Sequence, residues 1–179
     1  FRTYSNSVDY NAVSERVNKL IIYNRSRAYL ELGEHKKTLK DYDKAIKVDP
    51  NYAEAYYYRG LNYFHLGKHE KAIDNFSKAI ELDPEYSKAY YYIGLSYWRL
   101  GEYEKVIENY SKLIELDPDD AEAYYYRGLS YYRLDRDNKK QEKAEDDLIK
   151  AIKLDPEYAD FSKLIELDPS LVVDELGEY

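Results

Sequence analysis

The chain repeats itself every 34 residues, and no other property narrows its fold as much. Shifted by that period, Pro50 falls on Pro84 and Pro118, Gly33 falls on Gly67 and Gly101, and the YYYRGL beginning at Tyr56 falls on the YYIGL ending at Leu95. Residues 53–86 typify the unit: two helical patterns separated by Gly67 and closed by Asp83-Pro84. In the first pattern Tyr56, Gly60 and Tyr63, and beside them Tyr57, Leu61 and Phe64, recur at three- and four-residue steps, so two faces of one helix are apolar. In the second, Ala72, Ile73, Phe76, Ala79 and Ile80 form a single apolar face, with Lys71, Asp74, Asn75 and Lys78 outward. Gly60, Gly94 and Gly128 sit inside the first pattern, where glycine costs about 1 kcal/mol against alanine, and so mark close approaches between helices. Gly67 and Gly101 stop the first helix, and each Asp-Pro stops the second, because proline lacks a helical N–H and disfavours helix before it.

These positions carry a resemblance. An aromatic residue, then a residue pair ending in glycine, Tyr, Ala, Phe and Pro stand at the offsets of a tetratricopeptide repeat as Tyr56, Arg59-Gly60, Tyr63, Ala72, Phe76 and Pro84. The next copy offers Tyr90, Ile93-Gly94, Tyr97, Val106, Tyr110 and Pro118, with Leu113 where the preceding copy has Ala79. A looser copy before them has Ile22, Arg25-Ser26, Tyr29, Thr38, Tyr42, Ala45 and Pro50. A fourth has Tyr124, Arg127-Gly128, Tyr131, Ala144, Leu148, Ala151 and Pro156 after four extra residues. The chain thus resembles the tetratricopeptide-repeat family over residues 19–156. The resemblance implies an all-α fold, a right-handed superhelix of about four helix-turn-helix repeats with capping helices, whose first helices line a concave side.

The expected organisation is a lead and helix extension at 1–18, repeats at 19–52, 53–86, 87–120 and 121–158, and a partial fifth repeat with a C-terminal cap at 157–179. Val13, Val17, Leu20 and Ile21 step helically into the first repeat. The charged DRDNKKQEK at 135–143 reads as a solvated loop or one extra helical turn. DFSKLIELDP at 160–169 matches the second-helix end at 109–118, so about 21 residues of a fifth copy are missing, and Ala159–Asp160 marks the junction. Leu171, Val172, Val173 and Leu176 suit a helix shielding the last repeat.

Chemistry is scarce in this pattern. The absence of cysteine excludes disulfides, thiol nucleophiles and cysteine metal sites. No apolar run approaches the roughly 20 residues of a membrane span, and no signal pattern is visible, so the cytoplasm is the default compartment. A formal charge of −8 argues against bulk phosphate binding and leaves room only for a local basic patch. His65 and His69 have a metal-ligand spacing, but the turn at Gly67 puts them on different helices. Asp49, Asp83, Asp117 and Asp155 precede prolines and read as turn residues. No phosphate loop or catalytic triad is recognisable, so neither enzyme activity nor a cofactor is expected.

What remains is an aromatic excess on one line. By the resemblance, the concave side carries Tyr57, Tyr58, Leu61 and Phe64, then Tyr91, Tyr92, Leu95 and Trp98, then Tyr125, Tyr126, Leu129 and Tyr132. Many relatives hold a peptide backbone there with asparagine. Here Asn24 keeps that residue, while Tyr58, Tyr92 and Tyr126 replace it. Chaperone-binding relatives hold a peptide carboxylate with Lys and Arg, but Glu54 and Tyr58 stand at those positions, so a chaperone-tail clamp is not expected. Arg27, Lys88, Arg99 and Arg133 face Glu31, Glu54 and Glu122 on this side, giving a nearly neutral groove in an acidic chain. The expected function is a protein-interaction scaffold whose tyrosine-rich groove, with exposed Tyr58, Tyr92 and Tyr126 as its ladder, binds a neutral-to-acidic peptide with apolar anchors. The alternatives are self-assembly into a homo-oligomer through the ends at 20–22 or 171–176 and, more weakly, stacking of single-stranded RNA on the tyrosines.

Overall fold

The computed structural model describes residues 20, 22–26, 28–29, 32–134 and 138–159. The expected lead at 1–18 and the junction and cap from Asp160 onward lie outside them. Residues 22–26 and 28–29 are helical. Seven further helices follow: α1 (His35–Val48), α2 (Ala53–His65), α3 (His69–Leu82), α4 (Ser87–Leu100), α5 (Tyr103–Leu116), α6 (Ala121–Leu134) and α7 (Asn138–Leu154), then a 3-10 turn at Pro156–Ala159. No strand occurs among the described residues. The chain divides into two compact units, residues 1–96 and 97–179. In the first, α2 packs on α1 and α3; in the second, α6 packs on α5 and α7.

Two turn types, each repeated, set this alternation. After α2 the backbone turns left-handed at Gly67 (φ +69°), and after α4 at Gly101 (φ +73°), a conformation that side chains disfavour. The Lys68 N–H donates to the Tyr63 carbonyl at 2.9 Å and the Gly67 N–H to that of Phe64 at 2.9 Å, the paired bonds of a Schellman cap. Gly101 and Glu102 repeat both bonds onto Trp98 and Tyr97. At the other turn, the carboxylates of Asp49, Asp83, Asp117 and Asp155 each accept the N–H two residues on, at 3.0, 3.1, 3.3 and 2.9 Å. The aspartates before proline are therefore turn residues, as the sequence implies. The turn at Gly67 also separates His65, which ends α2, from His69, which begins α3.

The helix pairs close on small residues. Ala45, Ala72, Ala79 and Ala151 have no exposed surface, and neither do Tyr42, Phe76 and Tyr110. Burial of each such ring contributes about 1.5–3 kcal/mol. A β-carbon built on Gly60 would lie 2.7 Å from Cε1 of Phe76, and one on Gly128 would lie 3.1 Å from the Ala144 carbonyl oxygen. The sequence expectation of close approaches holds at both. From Asn138 the charged insertion is helix: α7 has 17 residues where α5 has 14.

Gly60→Ala tests the tight contact. Alanine is the better helix former, yet the buried Phe76 ring has no free side to retreat to. Chemical denaturation should show a loss of about 1–3 kcal/mol, the range for overpacking. An unchanged or raised stability would mean that the helices separate freely at this point.

Candidate functional site: the aromatic faces of the first helices

One ring-on-ring contact recurs between each second helix and the first helix that follows it. Tyr42 of α1 stacks on Tyr58 of α2 (centroids 6.1 Å, planes 12° apart), and Phe76 of α3 stacks on Tyr92 of α4 (5.5 Å, 22°). In the second unit Tyr110 of α5 stacks on Tyr126 of α6 (5.7 Å, 10°). A second contact joins successive first helices: Phe64 meets Tyr92 edge-on at 5.3 Å, and Trp98 meets Tyr126 edge-on at 5.4 Å. Each ring of the expected ladder thus fills the joint between a second helix and the following first helix. Tyr58, Tyr92 and Tyr126 are half-buried rather than exposed.

The other expected site residues separate into three groups. Tyr57 (5% exposed), Leu61 (8%), Tyr125 (4%) and Leu129 (4%) are core, which corrects their expected place on an open surface. The reason is the neighbouring ring. Tyr57 turns toward Tyr86 at 5.0 Å, and Tyr125 toward Tyr158 at 4.8 Å, so in these two pairs the first tyrosine closes its own repeat. Phe64, Tyr91, Leu95, Trp98 and Tyr132 are half-buried, and Asn24, Arg99 and Arg133 are exposed. The side chain of Arg27 lies outside the described residues. Each unit therefore has its own aromatic face, that of the second bringing Trp98 onto Tyr126. Burial raises the Tyr126 pKa, the negative charge of Glu122 adds to the rise and the positive charge of Arg99 opposes it. Trp98 also packs edge-on against Tyr103 at 5.3 Å.

Sequence reading missed a polar clamp at the position before the helix glycine. Arg25 holds Asp41 through two bonds of 2.6 and 2.7 Å, and Arg127 holds Asp147 through two of 2.7 Å. Arg59 donates to Asn75 and Asp43, both at 2.7 Å, joining α1 to α3. A signal existed: the arginine and its partner recur 16 residues apart, or 20 across the insertion. Asn62, fully buried, donates to the His35 carbonyl at 2.9 Å. Its amide oxygen then faces His35 Nδ1 at 2.5 Å, which assigns that nitrogen as the donor. Among the described residues no group of three or more His, Asp or Glu gathers in a metal-binding arrangement, and no helix is long and apolar enough to cross a membrane.

Antiparallel helix pairs, each wedged on the next by rings and closed by small residues, define a helical-hairpin repeat protein. Models of the TPR repeat match residues 27–67, 60–101 and 99–135, a tetratricopeptide-repeat model matches 122–158, and the chain belongs to the tetratricopeptide-repeat family. The crystal structure of MamA is similar, with 30% identity and a TM-score of 0.71 over 79% of this chain and 81% of that one. The first TPR of Spaghetti (RPAP3), bound to the HSP90 peptide SRMEEVD, has 25% identity and a TM-score of 0.63 over 65% of this chain and 93% of that one. The second TPR domain of human RPAP3, in complex with the HSP70 peptide SGPTIEEVD, shares the fold at 22% identity and a TM-score of 0.61 over 65% and 97%. No curated protein sequence matches significantly.

The packed tyrosines carry a pH dependence of stability. Burial pushes Tyr52 and Tyr125 up to about 12 and raises Tyr57, Tyr86 and Tyr158 as well. An unfolded tyrosine titrates near about 10, so at higher pH the unfolded chain sheds protons that the folded chain retains. Stability should be level below that value and fall as pH rises toward about 12, measured as the denaturation midpoint alongside tyrosinate absorbance. The buried Tyr125 hydroxyl has no hydrogen-bond partner. Tyr125→Phe should therefore keep or raise stability at neutral pH and flatten the alkaline decline. A large loss at neutral pH would show that the hydroxyl is bonded.

Proposed function

We propose that the chain is a protein-interaction scaffold whose aromatic faces bind a peptide segment of a partner. The observation that carries this reading is the packed, half-buried pair Trp98–Tyr126, with the exposed Arg99 following Trp98 in α4. An exposed arginine next to a ring edge offers a planar set of donors over an apolar ledge, the combination most enriched at binding hot spots. Arg133, seven residues after Tyr126 and so on the same side of α6, is also exposed. The similar RPAP3 repeats hold acidic peptides, which supports a partner of that class. Recognition here rests on different groups, since Glu54 and Tyr58 occupy the positions of a basic carboxylate clamp.

The rings committed to packing contribute little new contact, so the segment gains its affinity from ring edges and arginines at the rim. A few such anchors at ~2 kcal/mol each, set against the ordering cost of a peptide, give an affinity of about micromolar. The test is capture from an array of short acidic and neutral peptides, followed by Arg99→Ala and Arg133→Ala on the strongest binders. Both arginines are exposed, so the thermal midpoint should hold while affinity falls about tenfold. Full binding by the double variant would overturn the reading.

A further inference from the structure

The outer face of α1 has the opposite charge from its counterparts. Lys36, Lys40, Lys44 and Lys47 follow one another at steps of four, four and three, which places them on one side of the helix, and all four are exposed. One period later the same positions on α3 hold Glu70, Asp74, Lys78 and Glu81; on α5 they hold Glu104, Glu108, Lys112 and Glu115. The α3 and α5 faces offset their lysines, since Lys78 pairs with Glu81 at 2.5 Å and Lys112 with Glu115 at 2.7 Å. On α1, Lys44 approaches Asp41 at 3.8 Å, but that carboxylate is already gripped by Arg25. Asp43 is engaged by Arg59 and Glu34 by Lys37. No ion pair among the described residues engages Lys36, Lys40 or Lys47.

Like charges four residues apart destabilise a helix by about 0.2–0.5 kcal/mol per pair, so this arrangement does nothing for folding. It sits in a chain whose net charge is −8. Leu32, in the turn before α1, and Val48, the last residue of α1, are 72% and 51% exposed. We propose that the outer face of α1 is a second docking surface, separate from the aromatic faces, for an acidic polypeptide segment with aliphatic residues at its ends.

The width of the stripe selects this occupant. It runs about 16 Å along a single helix. The next outer helix, α3, is tied to α1 through Arg59, which bonds both Asp43 and Asn75, and it presents Glu70 and Asp74. A nucleic-acid duplex or an anionic membrane would lie over both helices and meet those carboxylates. One polypeptide segment follows the lysines alone, and its aliphatic ends cover Leu32 and Val48, which a phosphate chain leaves in water.

Fluorescence anisotropy with a labelled oligoglutamate carrying a leucine at each end tests the proposal, alongside the same peptide without leucines, an oligodeoxythymidine of equal charge and phosphatidylserine vesicles. The leucine-flanked peptide should bind best, and its affinity should fall at least tenfold on going from low to physiological salt. Lys36→Glu/Lys40→Asp/Lys47→Glu, which copies α3, should abolish binding with an unchanged thermal midpoint; Lys36→Gln/Lys40→Gln/Lys47→Gln should weaken it in the same direction. Arg99→Ala should leave it intact, which separates this surface from the aromatic faces. Absence of peptide binding at low salt, equal binding by the charge-reversed variant, or tighter binding of the oligodeoxythymidine or the vesicles would overturn it.

Discussion

The stack between a second-helix ring and a tyrosine of the following first helix holds the repeats in register, and much else follows from it. Phe76 reaches across the joint to Tyr92 and also lies against its own first helix at Gly60. Phe76 does so only because Gly60 offers no β-carbon. On α2 and α6 two adjacent tyrosines then divide the work: one closes its own repeat and the other meets the ring of the repeat before it. Geometry of this kind adds about 0.5–1.5 kcal/mol per pair beyond burial. Repeated through each unit, it is a material part of the few kcal/mol by which a domain is stable.

That use of the rings limits what is left for recognition. A side chain that fills a joint is unavailable to a partner except along its edge. Tyr57 and Tyr125 are wholly committed to packing, whereas Trp98 and Tyr126 stay partly exposed. On the proposed reading, affinity for a peptide comes from a narrow rim whose charges decide which peptides fit. The outer side follows a separate logic. There the helices are only half covered, charges are held by water and by neighbours one turn away, and a change of sign on one helix leaves the fold intact. Such a face is free to acquire a partner of its own.

Polar clamps add a further layer. Arg59 and Arg127 are mostly covered and each reaches two partners, Asp43 with Asn75 and Asp147 with Ser111. Partly buried guanidinium groups are tolerated because their donors are met, and losing a partner would leave a charge stranded. Ile93 takes this position in the third repeat, where a buried apolar side chain does the same filling without donors. Asp120 stands where other repeats have Tyr52 and Tyr86, and it caps α6 through the Ala123 N–H at 2.9 Å. Aromatic packing is exchanged there for a helix cap.

The sequence by itself determined the period, the helix pairs, both turns and the close approaches at Gly60 and Gly128. Each of these is a local requirement: a positive φ that only glycine meets cheaply, a proline that cannot continue a helix, an apolar step of three or four. It could not determine which of two adjacent tyrosines faces a partner. Tyr57 and Tyr58 are both apolar-faced on the same helix, and only the distance to Tyr86 on one side and Tyr42 on the other assigns them. The arginine clamps leave a recurring spacing in the sequence, but Arg25 and Asp41 belong to different helices, and only the packing of those helices shows that the spacing is a contact. Tertiary structure alone decided which rings became joints and which stayed partly exposed, because that depends on what the neighbouring helix brings into contact.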